Sequence, residues 1–273
     1  MTDSVAKVPM LTRTVVAHRI VQAGIFLTLA WKWYLFRYAA DIYAAIPLDD
    51  PLFPDWLRSV YTISFAYLIA VAAIVLNFFT ASRSLQRLFS WVTIVAATIL
   101  CIHQGSYNDM TFVTTWWVSL WSLWYVHQDW DADPDQLLGR AAFLSRLIIS
   151  MILLGGAVGK WTSEYWSGEV FFDIYFRDRD FWVFNLLRDN FDPESLREIA
   201  KWYSRQVVVV ETVAGFGLWL LPAKWAAVVG IVVLVSIALL SNFLLFSVLS
   251  CVIGLAAVGL FVSRDQNASP DDR

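Results

Sequence analysis

Long uncharged stretches recur along the chain, close in length to the roughly 20 mostly apolar residues that a membrane-crossing helix needs. Ser59 to Ala81, Leu88 to Asn108 and Met110 to Gln128 each contain no Asp, Glu, Lys or Arg. These predict three spans, with a very tight connection around Gly105 to Met110. Leu147 to Gly159 is also uncharged, and Ala141 to Arg146 supplies its first turns. Val207 to Leu221 is apolar apart from Glu211, and Pro222 ends it. Trp225 to Ser263 carries no charge. It is long enough for two spans with a turn near Ser241 and Asn242, or for one span plus a re-entrant piece. The first span, about Thr14 to Phe36, holds His18, Arg19 and Lys32. Barrel strands would alternate apolar and polar residues, and these runs do not. The pattern therefore predicts an all-α, polytopic integral membrane helix bundle with seven to eight transmembrane helices, eight being preferred.

Polar segments divide the chain into a short N-terminal piece over 1–13, a transmembrane domain over 14–262 and a disordered tail over 263–273. Tyr38 to Leu57 is a Pro- and Asp-rich loop, and Gln128 to Leu138 an acidic turn. The longest extramembrane segment is 161–205. Its stretch FFDIYFRDRDFWVFNLL fits either an amphipathic helix lying among lipid headgroups or an aromatic-anchored loop. The first apolar run is too long, and lacks a small-residue cleavage site, for a removable signal peptide. Eight spans with a cytoplasmic N-terminus place Lys7, Arg13, Arg83, Arg87, Arg140, Lys224 and Arg264 inside, as short loops prefer. Arg177, Arg179, Arg188, Arg197 and Lys201 then fall outside, in a long loop, where that preference is weak. The expected location is the cell membrane, with membrane lipid as a partner.

Composition supports this picture. Of 273 residues 59% are hydrophobic and 16% charged, against about 25% charged in ordinary soluble domains. The net charge of −3 and the absence of a basic block give no nucleic-acid partner. Cys101 and Cys251 lie in apolar runs and read as buried thiols. His18, His103 and His127 are too scattered for a metal site, and neither HExxH nor GxSxG occurs.

An ionisable group inside a span is costly and is a functional candidate by default. Arg19, Lys160 and Glu211 are such groups, and His103 lies near the end of the third span. The run WWVSLWSLW sets Trp116, Trp117, Trp121 and Trp124 on one span, where they serve helix packing or wall a flat ligand.

Several segments, in order, resemble the HTTM superfamily (horizontally transferred transmembrane domain), whose best-known member is the vitamin K-dependent gamma-carboxylase. VVAHRIVQAGIFLTL resembles its opening helix, with Arg19, Ile20 and Gly24. IHQGSYND resembles the polar turn after its third helix. LLGGAVGKWTSEYWSGEVF resembles a small-residue helix end followed by Lys160, Trp166 and Gly168. VVVVETVAGFGLWLLP resembles a later helix carrying an acid, here Glu211, and SNFLLFSVLS a Phe-Ser segment, here Phe246 and Ser247. The resemblance spans roughly Leu11 to Phe261. It implies a membrane enzyme whose lysine, here Lys160, deprotonates a lipid quinol, with Glu211 orienting the lysine or taking the next proton. Arg19, His103, Asn108, Trp166 and Asn242 are the substrate-binding candidates. The chain departs from the family in having no His before the Phe-Ser segment and no Asn-His pair in the turn holding Asn108. It also shows no large lumenal domain, so carboxylation of a Glu-rich protein is not expected. Some bacterial members help process or export small peptides, so the alternative role is a non-enzymatic partner of a peptide or another membrane protein; a transporter is a third reading.

Overall fold

The structure, a computed structural model of the chain, describes residues 4–48, 51–107, 110–240 and 245–263. Among them every regular element is helical. The main helices are α1 (Ser4–Trp31), α2 (Val60–Phe79), α3 (Arg83–Ile102), α4 (Thr111–His127), α5 (Pro134–Val158), α6 (Pro193–Gly217), α7 (Ala223–Leu240) and α8 (Phe246–Ala257), the last extended by a 3₁₀ turn at Val258–Phe261. Among the described residues five segments are long and apolar enough to cross a membrane: Arg13–Trp31 within α1, then α2, α3, α5 and α7. Several of these bury little of their surface. On α2 the outward Tyr61, Phe65, Leu68, Ile69 and Leu76 are exposed while Ile63, Ala66, Ala70 and Ile74 pack inward. A helix apolar on all sides needs an apolar surrounding on all sides.

Local chemistry sets the helix ends. The Ser59 hydroxyl accepts from the Tyr61 N–H at the start of α2. Asp133 and Asp192 cap α5 and α6, each followed by proline at the first helical position, where a missing N–H does no harm. Pro222 cannot continue the preceding helix, and α7 starts just after it.

The helices alternate in direction. Arg13 near the start of α1 pairs with Asp135 at the start of α5 and donates to the Phe261 carbonyl at the end of the α8 extension. At the other end of the bundle lie Lys32, just past α1, and Lys160, just past α5. Between these ends α1 and α8 pack backbone to backbone. A Cβ on Gly24 would meet the Ser250 carbonyl oxygen at 2.9 Å, and one on Gly254 the Ile20 carbonyl oxygen at 2.9 Å. Small residues allow such close crossings. The core around this seam includes Val21, Ile25, Leu100, Leu234 and Leu255.

The expected boundaries shift in several places. α1 starts at Ser4, so the polar segment over 1–13 belongs largely to the helix, and it stops at Trp31 rather than Phe36. α6 starts at Pro193, far ahead of Val207, because Asp192 and Pro193 start a helix that runs unbroken into the apolar stretch. Trp225 to Ser263 holds two helices; the turn placed near Ser241 and Asn242 lies outside the described residues, as does most of the tail. The stretch FFDIYFRDRDFWVFNLL is not one amphipathic helix. It forms a π-helical turn at Phe172–Phe176, an irregular link and a separate helix at Trp182–Asn190. Phe171, Phe176, Phe184, Leu196 and Ala200 give segment 161–205 an apolar core of its own with the start of α6.

Candidate functional site

The last two turns of α5 hold the run Leu153-Leu154-Gly155-Gly156, and without side chains its two glycines leave room beside the helix. A Cβ on Gly155 would meet nothing within 4 Å, while one on Gly156 would lie 3.4 Å from Oε2 of Glu211 and 4.0 Å from Nζ of Lys160. Lys160 follows in the turn that closes α5, its N–H bonded to the Ala157 carbonyl at 2.8 Å. Glu211 arrives from α6, which packs antiparallel to α5 with the Ser150 hydroxyl on the Gly215 carbonyl at 2.7 Å. Nζ of Lys160 and Oε1 of Glu211 are 2.5 Å apart, the lysine side chain 24% and the glutamate 7% exposed. Oε2 of Glu211 is buried and has no hydrogen-bond partner.

The pair stands at the wall of a cavity of about 700 Å³. Other wall residues are Trp117 and Thr114 of α4, Met151 of α5 and Ser247 of α8. Lys32 reaches the same cavity from the end of α1, and Tyr165, Phe171 and Tyr175 line it from segment 161–205. Met110 and Met151, both in the cavity wall, are each about half exposed. The result is an apolar chamber with one carboxylate, two amines and a few hydroxyls. Burial, and then the Glu211 carboxylate, push the Tyr165 phenol above its ordinary value, and burial does the same to Tyr175. Both phenols stay protonated and available as donors.

Side-chain donors on backbone carbonyls hold the stretch before α6 against α6 and α7. The Ser204 hydroxyl donates to the Tyr165 carbonyl at 2.6 Å, and Nε of Arg205 to the Trp166 carbonyl at 3.0 Å. Trp182 and Tyr203 donate to the Leu239 and Leu240 carbonyls at the end of α7. Gly168, with φ of 84°, allows the chain to turn against α6, where a Cβ would stand 2.4 Å from Cα of Lys201.

Of the residues picked from sequence, Lys160 and Glu211 meet. Trp166 packs on Trp161 with ring centroids 5.1 Å apart, next to the chamber but not in its wall. Arg19 and His103 are elsewhere. Arg19 donates to the Asn77 carbonyl at 2.7 Å and the Thr80 carbonyl at 2.6 Å, closing the end of α2. The ring nitrogens of His103 face the Ile99 and Leu57 carbonyls at 2.8 and 2.9 Å, tying the loop before α2 to α3. Asn108 and Asn242 lie outside the described residues. Of the four tryptophans of WWVSLWSLW only Trp117 lines the chamber; Trp121 is buried and bonds to the Ala141 carbonyl. Sequence reasoning missed Tyr165, Tyr175 and Thr114. Lys32 was visible as a charge in an apolar span, but nothing in the sequence placed it with Lys160. Among the described residues no group of His, Cys, Asp and Glu is placed to hold a metal ion.

No family model matches the chain, and no curated protein or solved structure matches it.

Proposed function

We propose that the protein is a multi-pass membrane enzyme of HTTM type, with eight spans and a cytoplasmic N-terminus, that removes a proton from a hydroxyl of a lipid-soluble, quinol-like substrate. One observation carries the reading: a buried carboxylate oxygen, Oε2 of Glu211, stands without a partner beside a paired lysine at the wall of a largely apolar chamber. A buried acceptor left unsatisfied costs about 1–3 kcal/mol, and a hydroxyl on a bound substrate would remove that cost.

The pairing changes how the lysine works. An ammonium held by a carboxylate is no base. A proton passed from Lys160 to Glu211 leaves a neutral amine, which takes the substrate proton and becomes ammonium again. Direct transfer from substrate to Glu211 reaches the same end: carboxylic acid, ammonium and substrate oxyanion. The pair and the substrate together carry one positive and one negative charge before and after, with Lys32 unchanged. Low polarity, which penalises creating charge, therefore opposes the step little. Lys160 ends as the countercharge of the oxyanion, and Glu211 as the proton store.

The test is to purify the wild type and Lys160→Ala in detergent and identify bound lipids by mass spectrometry. An isoprenoid or quinone enriched with the wild type and lost from the variant is expected. Bulk phospholipid alone in both would overturn the reading and favour a partner-protein role.

A further inference from the structure

A line of polar side chains runs away from the chamber inside the bundle. Thr111, Thr115, Ser119 and Ser122 follow one another on one face of α4 at spacings of four, four and three, and all four are buried. The opposite wall is α1, with Thr28, Gln22 and His18, buried as well. At the chamber end the Thr111 hydroxyl donates to the Ser247 hydroxyl at 3.1 Å, and Ser247 and Thr114 are chamber wall. The hydroxyl of Thr28 accepts from the Cys251 N–H at 2.9 Å, which brings α8 into the same seam. Further along, Nε2 of Gln22 donates to the Ser122 hydroxyl at 2.5 Å, and Nε2 of His18 lies 3.4 Å from that oxygen. His18 ends the line, its ring stacked on Tyr125 and edge-on to Trp130, over which the Arg83 guanidinium lies at 3.0 Å. Arg83 starts α3, at the end of the bundle opposite Lys160.

Hydroxyls between helices can act as packing glue, and glue is satisfied on both sides. This seam is not. Oγ of Ser119, Oε1 of Gln22 and Nδ1 of His18 are buried without any hydrogen-bond partner. Three such atoms, on two facing helices, each lack the partner that a bound water would supply.

We propose that the seam is a water-bearing proton path joining the Lys160–Glu211 chamber to the opposite end of the bundle at His18. A proton entering beside His18 is matched by one leaving at the chamber wall, through water and the Ser122, Ser119 and Thr111 hydroxyls. Each oxygen gains and loses one proton, so no net bond change remains in the protein. Its use in replenishing or draining Glu211 rests on the function proposed above; its hydration does not.

The probe is Ag⁺, an ion small enough to follow water. The background is Cys101→Ala with Cys251→Ser, and silver uptake is read from the mass of the intact protein. Ser119→Cys should take up silver. Val118→Cys, its fully buried apolar neighbour on α4, should not, and adding Gln22→Leu to Ser119→Cys should abolish uptake. Ser122→Cys, one turn nearer His18, is the second position should Ser119→Cys fail to fold. No uptake at either serine position, equal uptake at Val118→Cys, or uptake that survives Gln22→Leu would each overturn the path. Silver uptake at Ser119→Cys with no lipid lost from Lys160→Ala would keep the path and remove the quinol reading.

Discussion

Nζ of Lys160 sits 2.5 Å from Oε1 of Glu211, and Gly156 lies against both groups, its virtual Cβ 3.4 Å from Oε2. Three positions spread over two helices thus make one object: an ion pair with a glycine floor and one idle oxygen. Its energetics are unequal. Removing one partner of a buried pair strands a charge and costs about 3–5 kcal/mol, whereas replacing both with apolar groups is close to neutral. Because Lys160 keeps some solvent contact, the single variants belong near the low end of that range. Lys160→Met and Glu211→Leu should each lower the unfolding temperature in detergent, and the double variant should recover most of the loss. A double variant that loses the sum of the two would show that the pair is not coupled.

Arg19 gives a contrasting expectation. Its guanidinium satisfies two carbonyls at the end of α2, a role any half-buried arginine near a helix terminus can fill. Arg19→Ala takes its donor from the Asn77 carbonyl, while the Thr80 carbonyl keeps the Gln86 amide at 3.1 Å, and should cost about 1–3 kcal/mol of stability. The lipids that co-purify should not change. Loss of a bound lipid without loss of stability would return Arg19 to the list of binding residues.

The helices were legible because charge is excluded from long runs, and the run from Ser59 to Ala81 became α2 almost unchanged. The Lys160–Glu211 site was legible because a charge in an apolar run is rare enough to stand out. Arg19 carried the same signal for a different reason, since a charge between helices closes a helix end as readily as it binds a ligand. His103 shows the same ambiguity for a ring between two carbonyls. Tyr165 and Tyr175 were not legible as site residues, because their place in the wall depends on how segment 161–205 folds back over α6, and Lys32 was not because nothing in the sequence sets the end of α1 beside α5. That fold hangs on Gly168, one glycine among 12 in the sequence.

Gly168 is accordingly a sensitive point. Its φ of 84° is one that a side chain adopts at a cost of about 1–3 kcal/mol. A Cβ would also collide with the backbone at Lys201. Gly168→Ala should release the segment that carries Tyr165 and Tyr175 while leaving the helices in place. Limited proteolysis should then cut within 161–205 faster than in the wild type, at unchanged helical circular dichroism. Equal cleavage rates would mean that the aromatic core of the segment holds it without this turn.

The start of α6 should respond to acid. The Asp192 carboxylate accepts from the Ser195 and Glu194 N–H groups and from the Ser195 hydroxyl, and these bonds hold it below the usual carboxylate range. A depressed folded value means that the contribution is present above the unfolded value of about 3.9 and is lost as pH falls through the folded one. Asp192→Asn keeps an acceptor for the helix N-terminus but does not titrate. The unfolding temperature of the wild type should drop more steeply below pH 4 than that of Asp192→Asn. Parallel curves would show that the cap does not sense pH.

Gly155 offers the sharpest test of the chamber itself. It is exposed, it lines the cavity, and a Cβ there would meet no atom within 4 Å. A large side chain can therefore enter without displacing the fold, unlike at Gly24 or Gly254, where backbone stands in the way. Helix propensity also favours the change, since glycine costs about 0.8–1.0 kcal/mol against alanine inside a helix. Gly155→Phe should leave the unfolding temperature unchanged or raised, fill part of the space beside Lys160 and Glu211, and expel whatever lipid the wild type retains. Retention of the same lipid by a stable Gly155→Phe protein would place that lipid outside the chamber, and with it the chemistry assigned to the ion pair.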